Sequence, residues 1–138
     1  AGRPQSALIA ICGRIEAELS ELEDAAAAEL LAAYGLKEPG LHRLIRATYD
    51  LLGLIPFFTA GEPEVRAWTI RRGTNAVKAA GAIHTDIERG FIRAEVVRCE
   101  DLLAAGSIPA AREKAQVRLE GKEYVVQEGD VILFRHSG

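Results

Sequence analysis

His84, Thr85 and Asp86 lie together in a short polar segment between two apolar stretches, and they are the first candidates for chemistry in this chain. An aspartate can orient a histidine for general-base catalysis. No serine or cysteine stands nearby as an evident nucleophile. The same residues suit recognition of a ligand, or a turn in which Thr85 or Asp86 caps backbone amides. We favour the capping interpretation because it requires no further residue, and we predict no catalytic residue in this chain.

Basic side chains between positions 54 and 98 are the second candidate. Arginine neutralises phosphates and stacks on bases, so their distribution matters more than the formal net charge of −3. We predict an RNA-binding surface on one side of the small helix and its adjoining strands. Its members are Arg66, Arg71, Arg72, Lys78, His84, Arg89 and Arg93. The alternative is a solvated sheet face on which Glu64 or Glu95 forms ion pairs with neighbouring arginines.

Motifs for nucleotides and metals are missing from the sequence. A P-loop requires G-x-x-x-x-G-K-[S/T], and no segment matches it. His42, His84 and His136 are far apart and lack metal-ligand spacing. Cys12 and Cys99 are read as reduced structural residues, because a disulfide framework usually has more cysteines. We therefore expect no metal and no cofactor in this chain.

The composition limits the classes of protein to which this chain can belong. The 138 residues, 49% hydrophobic and 27% charged, suit one ordinary domain, or a small domain with an appendage. No apolar run approaches 18 residues, which argues against a membrane span. The chain has no methionine and its first residues lack the apolar core of a signal peptide. We expect a processed or truncated cytoplasmic protein.

Residues 1–52 have the pattern of the closing section of an α/β domain. The apolar run 7–12 predicts a strand buried on both faces. One amphipathic helix is expected from Ile15 to a stop at Gly35, and a second from Gly40 to a stop at Gly53. The predicted apolar face of this second helix consists of Leu41, Leu44, Ile45, Thr48, Leu51 and Leu52.

Residues 53–138 have a different pattern. Strands are predicted at 57–59, 65–70, 91–97 and 131–134, and a small-residue helix at 76–82 is capped by Thr74 or Asn75. Two short helices are expected between 99 and 115, and a hairpin at 117–126. The expected core residues are Val65, Ala67, Ile92, Ala94, Val96, Val126 and Ile132.

Separated sequence blocks, in a fixed order, carry a family resemblance. They are FFTAG (57–61), EVRAWT (64–69), GAIHTDIERGFIRAEV (81–96), RLEGKEYVV (118–126) and EGDVI (128–132). These blocks resemble the C-terminal TGS domain of the YchF family, Obg-related ATPases and GTPases associated with the ribosome. The resemblance extends back through GLHRLIRA (40–47) and RIEAEL (14–19). It implies an α+β fold, with a β-grasp TGS domain at 53–138 and the end of a P-loop GTPase-like domain at 1–52.

The resemblance also implies what has been lost. In the family, the segment before the first helix usually reads Ser-Ala-Lys and its backbone touches the nucleotide base, whereas here Cys12, Gly13 and Arg14 stand there. All three residues depart from the pattern, which puts base recognition in doubt. Mg²⁺ and ATP or GTP are implied for the parent protein.

Three functions follow in order of preference. The first is a fragment of a ribosome-associated NTPase whose TGS domain binds the ribosome or its RNA. The second is a protein-interaction module that uses an exposed edge strand of the β-grasp sheet and binds no RNA. The third is an enzyme that uses His84 and Asp86. No membrane partner is expected.

Overall fold

The computed structural model describes residues 6–61 and 64–137, and the chain divides into two compact units, 1–52 and 53–138. The described residues of the first unit, 6–52, form three helices: α1 (Gly13–Leu19), α2 (Asp24–Ala33) and α3 (Gly40–Leu52). The predicted helix from Ile15 is therefore two helices. The break follows Ser20, whose hydroxyl donates to the carbonyl of Ala17, and Glu23 is extended before α2.

The predicted strand at 7–12 is wrong. These residues form no strand or helix, and the side chain of Leu8 is 99% exposed. A strand exists only where a neighbour accepts its backbone hydrogen bonds, and the described part of this unit contains no strand to pair with it. An apolar run by itself does not supply that neighbour.

Helix α3 begins and ends where the sequence indicates. The Glu16 carboxylate accepts hydrogen bonds from the amides of Gly40 at 2.7 Å and Leu41 at 3.2 Å. These are two of the backbone amides at the start of α3 that have no acceptor within the helix. Gly53 follows its last residue with φ +64°, and Gly35 follows α2 with φ +66°, a backbone conformation that glycine adopts without strain. The apolar face of α3 is largely open to solvent, with Leu41, Leu44, Ile45, Leu51 and Leu52 all exposed.

The second unit contains a mixed five-stranded sheet. Its strands are β1 (Leu54–Ala60), β2 (Val65–Arg71), β3 (Phe91–Arg98), β4 (Arg118–Glu120) and β5 (Asp130–His136). Its helices are α4 (Ala76–Ile83), α5 (Thr85–Arg89), α6 (Cys99–Ala105) and α7 (Ile108–Glu113). The strand order is β2-β1-β5-β3-β4; β1 and β5 are parallel and the other pairs are antiparallel.

Helix α4 packs on one face of this sheet. Its small residues Ala76, Ala79 and Ala80 are buried against strand residues that include Phe57 and Ile132. Small side chains let the helix backbone approach the sheet closely. A mixed sheet that packs over one central helix is the β-grasp arrangement, so the predicted fold class is confirmed. A smaller apolar cluster, with Val97, Val131 and Ala111 at its centre, lies on the opposite face.

Four of the seven expected core residues are buried: Ala94, Val96, Val126 and Ile132. Ile92 is 58% exposed because the β3–β5 register is irregular between Phe91 and Arg93, which turns Phe91 and Ala94 inward. Val65 and Ala67 are also exposed. They alternate with Trp68 and Ile70, whose side chains face α4, and therefore point away from that core.

The predicted hairpin at 117–126 is wrong as well. Strand β4 pairs with β3 rather than with the residues that follow it. Residues 121–126 form a turn, and Val125 makes only an isolated bridge with Asn75. Helices α6 and α7 match the two short helices that were expected, with Pro109 in the first turn of α7.

Candidate nucleic-acid interface

The segment α4–α5 carries three of the predicted site residues. Asn75 caps α4 by accepting a hydrogen bond from the amide of Lys78 at 3.1 Å, as the sequence indicates. The ammonium of Lys78 donates to Glu88 at 2.6 Å, which ties α4 to α5. Arg89 is exposed in the last turn of α5. Lys78 thus already has one anionic partner.

His84 begins α5. Its Nδ1 atom accepts a hydrogen bond from the amide of Asp86 at 3.2 Å and lies 3.4 Å from a carboxylate oxygen of Asp86. A side chain does cap backbone amides here, as the capping interpretation predicts, but that side chain belongs to His84 rather than to Thr85 or Asp86. The acceptor role requires a neutral Nδ1. Both side chains are more than half exposed, which suits contact with a ligand.

Arg66 and Trp68 form a stacked pair on the edge strand β2. The Arg66 guanidinium lies 4.4 Å from the centre of the Trp68 ring, within cation–π range. Trp68 is held in turn by a hydrogen bond from its indole nitrogen to the hydroxyl of Thr59 at 2.9 Å. The pair presents a cation beside an aromatic ring, a combination that can contact both phosphate and base.

The seven predicted residues do not gather on one side of the sheet. Strand alternation places Arg66 on the sheet face that α4 covers. Lys78, His84 and Arg89 belong to the α4–α5 segment. Arg71 and Arg93 alternate with Ile70 and Ala94 and so lie on the opposite face. Arg72 follows β2, and its amide donates to the carbonyl of Gly53 at 2.8 Å. The expectation of a single basic surface is therefore corrected to two.

The opposite face holds a cluster that the sequence indicates only in part. Arg93 belongs to the predicted set and Glu95 was expected to pair with neighbouring arginines, whereas Arg112 and Arg135 were missed. Glu95 of β3 accepts hydrogen bonds from Arg112 of α7 at 2.7 Å and from Arg135 of β5 at 2.8 Å. The hydrogen bond from Arg135 has the larger effect, and together the two bonds hold the pKa of the Glu95 carboxyl below its usual value. Arg93 lies directly opposite Arg135 in the ladder. We name Arg93, Glu95, Arg112 and Arg135 the Glu95 cluster.

Two features hid Arg112 and Arg135. The last strand was expected to end at Phe134, one residue before Arg135, although the next alternate position after Leu133 is Arg135. Arg112 belongs to a short helix, and only the packing of Ala111 beneath the sheet reveals which residues of α7 reach Glu95. The alternation that turns Arg93 and Glu95 away from the core was the available signal.

Cys12, Gly13 and Arg14, which the resemblance aligns with the family's nucleotide-base segment, lie in the first unit. The carbonyl of Cys12 accepts the amide of Glu16 at 3.1 Å, while Gly13 and Arg14 are the first residues of α1 rather than a loop. Arg14 pairs with Glu18 at 3.3 Å. An open pocket of about 380 Å³ adjoins this segment. It is lined by Ala10, Ile11, Cys12, Ile15, Glu16, Tyr34, Leu36 and Arg43.

Both cysteines are free thiols. Across residues 6–61 and 64–137, no group of three or more histidine, cysteine, aspartate or glutamate side chains is arranged to hold a metal ion. None of the helices in that part of the chain combines the length and the apolar character needed to cross a bilayer.

Comparison with known proteins gives consistent matches. The family model YchF-GTPase_C, described as a protein of unknown function (DUF933), matches residues 54–137. The chain is 56% identical over 130 residues to the ribosome-binding ATPase YchF of Bacillus subtilis, covering 94% of this chain and 36% of that protein. It is 43% identical over 134 residues to the Obg-like ATPase 1 of Pongo abelii, covering 97% and 34%.

A solved structure agrees with these relatives. The Schizosaccharomyces pombe YchF GTPase superposes with a TM-score of 0.78 at 37% identity, over 93% of this chain and 34% of that one. The chain therefore spans about a third of the length of the curated relatives it matches. Since the family model covers more than half of the residues and the identities are high, the chain belongs to the YchF family.

Proposed function

We propose that this chain is the C-terminal part of a YchF-type NTPase, with the end of the P-loop domain at 1–52 and the TGS domain at 53–138. The support is the identity to proteins named ribosome-binding ATPase YchF and the change from an all-helical unit to a β-grasp unit after Leu52. The parent would hydrolyse ATP or GTP with Mg²⁺. Because no segment of the 138 residues matches a P-loop, this chain would not perform that reaction.

Isothermal titration of the chain with ATP or GTP and Mg²⁺ tests this part of the proposal. Phosphate contacts supply the main anchoring in nucleotide sites of this class. We expect no measurable heat of binding at micromolar concentrations. A micromolar dissociation constant for either triphosphate would contradict the assignment.

The function we propose for 53–138 is binding to the ribosome through its RNA. The observation that carries it is the set of exposed basic side chains on this unit, which includes Arg66 stacked on Trp68 and Arg89 in the last turn of α5. Each phosphate that an arginine or lysine neutralises releases a counterion, so affinity should fall steeply with salt. For three or four phosphate contacts with loop RNA, the log–log slope should be roughly −2 to −3.

Co-sedimentation with purified bacterial ribosomes at several salt concentrations tests this function. Replacement of both Arg66 and Arg89, which are exposed, by alanine should make the slope shallower by up to about 1.4 if each contacts a phosphate. Replacement of Lys114 and Lys122, two exposed cations outside the predicted set, is the matched control and should leave the slope unchanged. Salt-independent binding, or none at low salt, would contradict an RNA contact.

A protein-interaction role is the alternative, and one observation favours it. β2 is an edge strand of the sheet, and Val65, 74% exposed, and Ala67 lie on its uncovered face. An edge strand can accept an added strand from a partner protein. A stoichiometric complex that tolerates high salt and is lost when Ala67 is replaced by proline would favour this role over RNA binding.

A further inference from the structure

The Glu95 cluster lies on the sheet face opposite α4, away from Lys78, His84 and Arg89. We infer that the pocket bounded by Arg93, Arg112 and Arg135 around Glu95 is a phosphate-binding site for the backbone of single-stranded or loop RNA. The inference rests on the proposed RNA-binding function, and it assigns the phosphate contact to Arg93, which the sequence indicated, together with Arg112 and Arg135, which it did not.

The charges of the cluster do not balance. Three guanidinium groups surround one carboxylate, which leaves a local charge of about +2. Arg93 and Arg135 are directly opposed in the β3–β5 ladder, where like charges are destabilising. Glu95 uses one oxygen for Arg112 and the other for Arg135. Within residues 6–61 and 64–137, no acidic side chain forms an ion pair with Arg93, so an anion would complete the cluster.

Glu95 holds two of the arginines in place. Its side chain is only 11% exposed, whereas those of Arg112 and Arg135 are about half exposed. The carboxylate therefore lies beneath the guanidinium groups, and their remaining donors are open to solvent. Arginine forms paired hydrogen bonds with phosphate oxygens when its plane is fixed. Glu95 thus orients the binding groups while reducing the local positive charge.

The shape of the pocket also suits a nucleotide. It is open, has a volume of about 340 Å³, and is lined on one side by Val117 and Leu119. Leu119 pairs with Glu95 across the β3–β4 ladder and is 64% exposed. An apolar side chain beside three arginines offers a surface for a ribose or base next to the phosphate. An acidic peptide would match the charge but would leave this apolar wall without a partner.

Replacement of Glu95 by glutamine gives a specific test. The substitution removes the competing negative charge and should tighten binding of a single-stranded oligouridylate roughly three- to tenfold at low salt, with a smaller gain at high salt. Glu38→Gln is the matched control, because it removes the same charge from the Arg46–Glu38 ion pair in residues 1–52, outside the predicted RNA-binding residues. That control should change affinity by less than about twofold.

Removal of the arginines should have the opposite effect. The combined variant Arg93→Ala, Arg112→Ala, Arg135→Ala should bind oligouridylate at least about tenfold more weakly, because up to three phosphate contacts are lost. Arg93→Ala alone should weaken binding about threefold. Since Arg93 has no ion pair to lose among the described residues, this single variant remains informative if the triple variant does not fold by circular dichroism.

Three outcomes would overturn the inference while leaving ribosome binding intact. Equal gains for Glu95→Gln and Glu38→Gln would indicate general attraction rather than a site. Binding of polyglutamate as tight as that of oligouridylate would indicate an acidic peptide. Unchanged ribosome binding by the folded triple variant would place the RNA contact elsewhere. If the wild-type chain binds neither ribosomes nor oligouridylate at low salt, the proposed function itself fails.

Discussion

Among single residues, Asp130 is the most completely buried charged group in the described part of the chain, and its partners explain its position. One carboxylate oxygen accepts hydrogen bonds from the hydroxyl of Tyr124 at 2.7 Å and from the amide of Gln127 at 2.9 Å. Arg98 lies 3.9 Å from the other oxygen. Burial raises the pKa of the Tyr124 hydroxyl, and the bond to Asp130 adds to this effect. The network holds the turn before β5.

Replacement of Asp130 by alanine should lower the free energy of unfolding by about 2–4 kcal/mol, because it leaves the Tyr124 hydroxyl and the Gln127 amide without their acceptor. Tyr124→Phe removes one donor and should cost about 1 kcal/mol. Urea denaturation measures both. Glu123→Ala, an exposed residue of the preceding turn, is the control and should change stability by less than about 0.5 kcal/mol. Equal stability of the Asp130 and Glu123 variants would contradict a structural role for the network.

Glu95 makes stability depend on pH. Its folded-state pKa is lowered, chiefly by the hydrogen bond from Arg135, so its contribution is present above the ordinary pKa of 4.5 and is lost as pH falls through the folded value. Glu95→Gln should therefore be less stable than wild type at pH 7, and the difference should shrink towards pH 3. Denaturation curves at several pH values measure this. A difference that stays constant from pH 7 to pH 3 would contradict the ion pairs of Glu95 with Arg112 and Arg135.

At the scale of helices and strands, the sequence predicts a boundary correctly where that boundary depends on the properties of a single residue. Asn75, Gly35 and Gly53 mark helix boundaries by capping or by a positive φ angle, and both properties belong to the residue itself. Strand pairing is not local. The irregularity that exposes Ile92 depends on Arg135 and His136 of β5, more than forty residues later, and the pairing of β4 depends on β3. The partners of Glu95, Arg112 and Arg135, were missed for the same reason, since the Glu95 cluster joins two strands and a helix.

The cap of α4 provides a prediction for an element. Asn75→Ala removes the acceptor for the Lys78 amide and should lower the free energy of unfolding by about 1 kcal/mol. Asn75→Asp keeps an acceptor at the same position and should retain most of the stability. The bridge between Asn75 and Val125 uses backbone atoms, so both variants should preserve it. Thermal or urea unfolding measures the difference; an equal loss in both variants would show that the cap is not what stabilises this end of α4.

At the scale of the whole molecule, the two units differ in how much apolar surface they bury. Of the described residues of 1–52, Leu19 is the one buried apolar side chain, at 9% exposure, whereas the core of 53–138 includes fully buried Phe57 and Val96. Burial of apolar area is the main source of stability. The composition of the chain, averaged over both units, conceals this difference, because the exposed leucines of α3 raise the hydrophobic fraction without forming a core.

Hydrogen exchange on the full chain should reveal this difference. Amides of 8–12 have no strand or helix partners and should exchange almost at the intrinsic rate, and those of α2 should exchange through low-energy local opening. Amides of Ala94 and Val96, in a strand with neighbours on both sides, should exchange only through opening of the second unit and should be the slowest. Leu44→Lys, on the exposed face of α3, should leave this order unchanged, because the substituted side chain remains largely in solvent. If amides 8–12 were as protected as amides 94–96 in a monomer, residues 8–12 would have a hydrogen-bonding partner. The same measurement on the Leu44→Lys variant would then show whether that protection depends on the apolar face of α3.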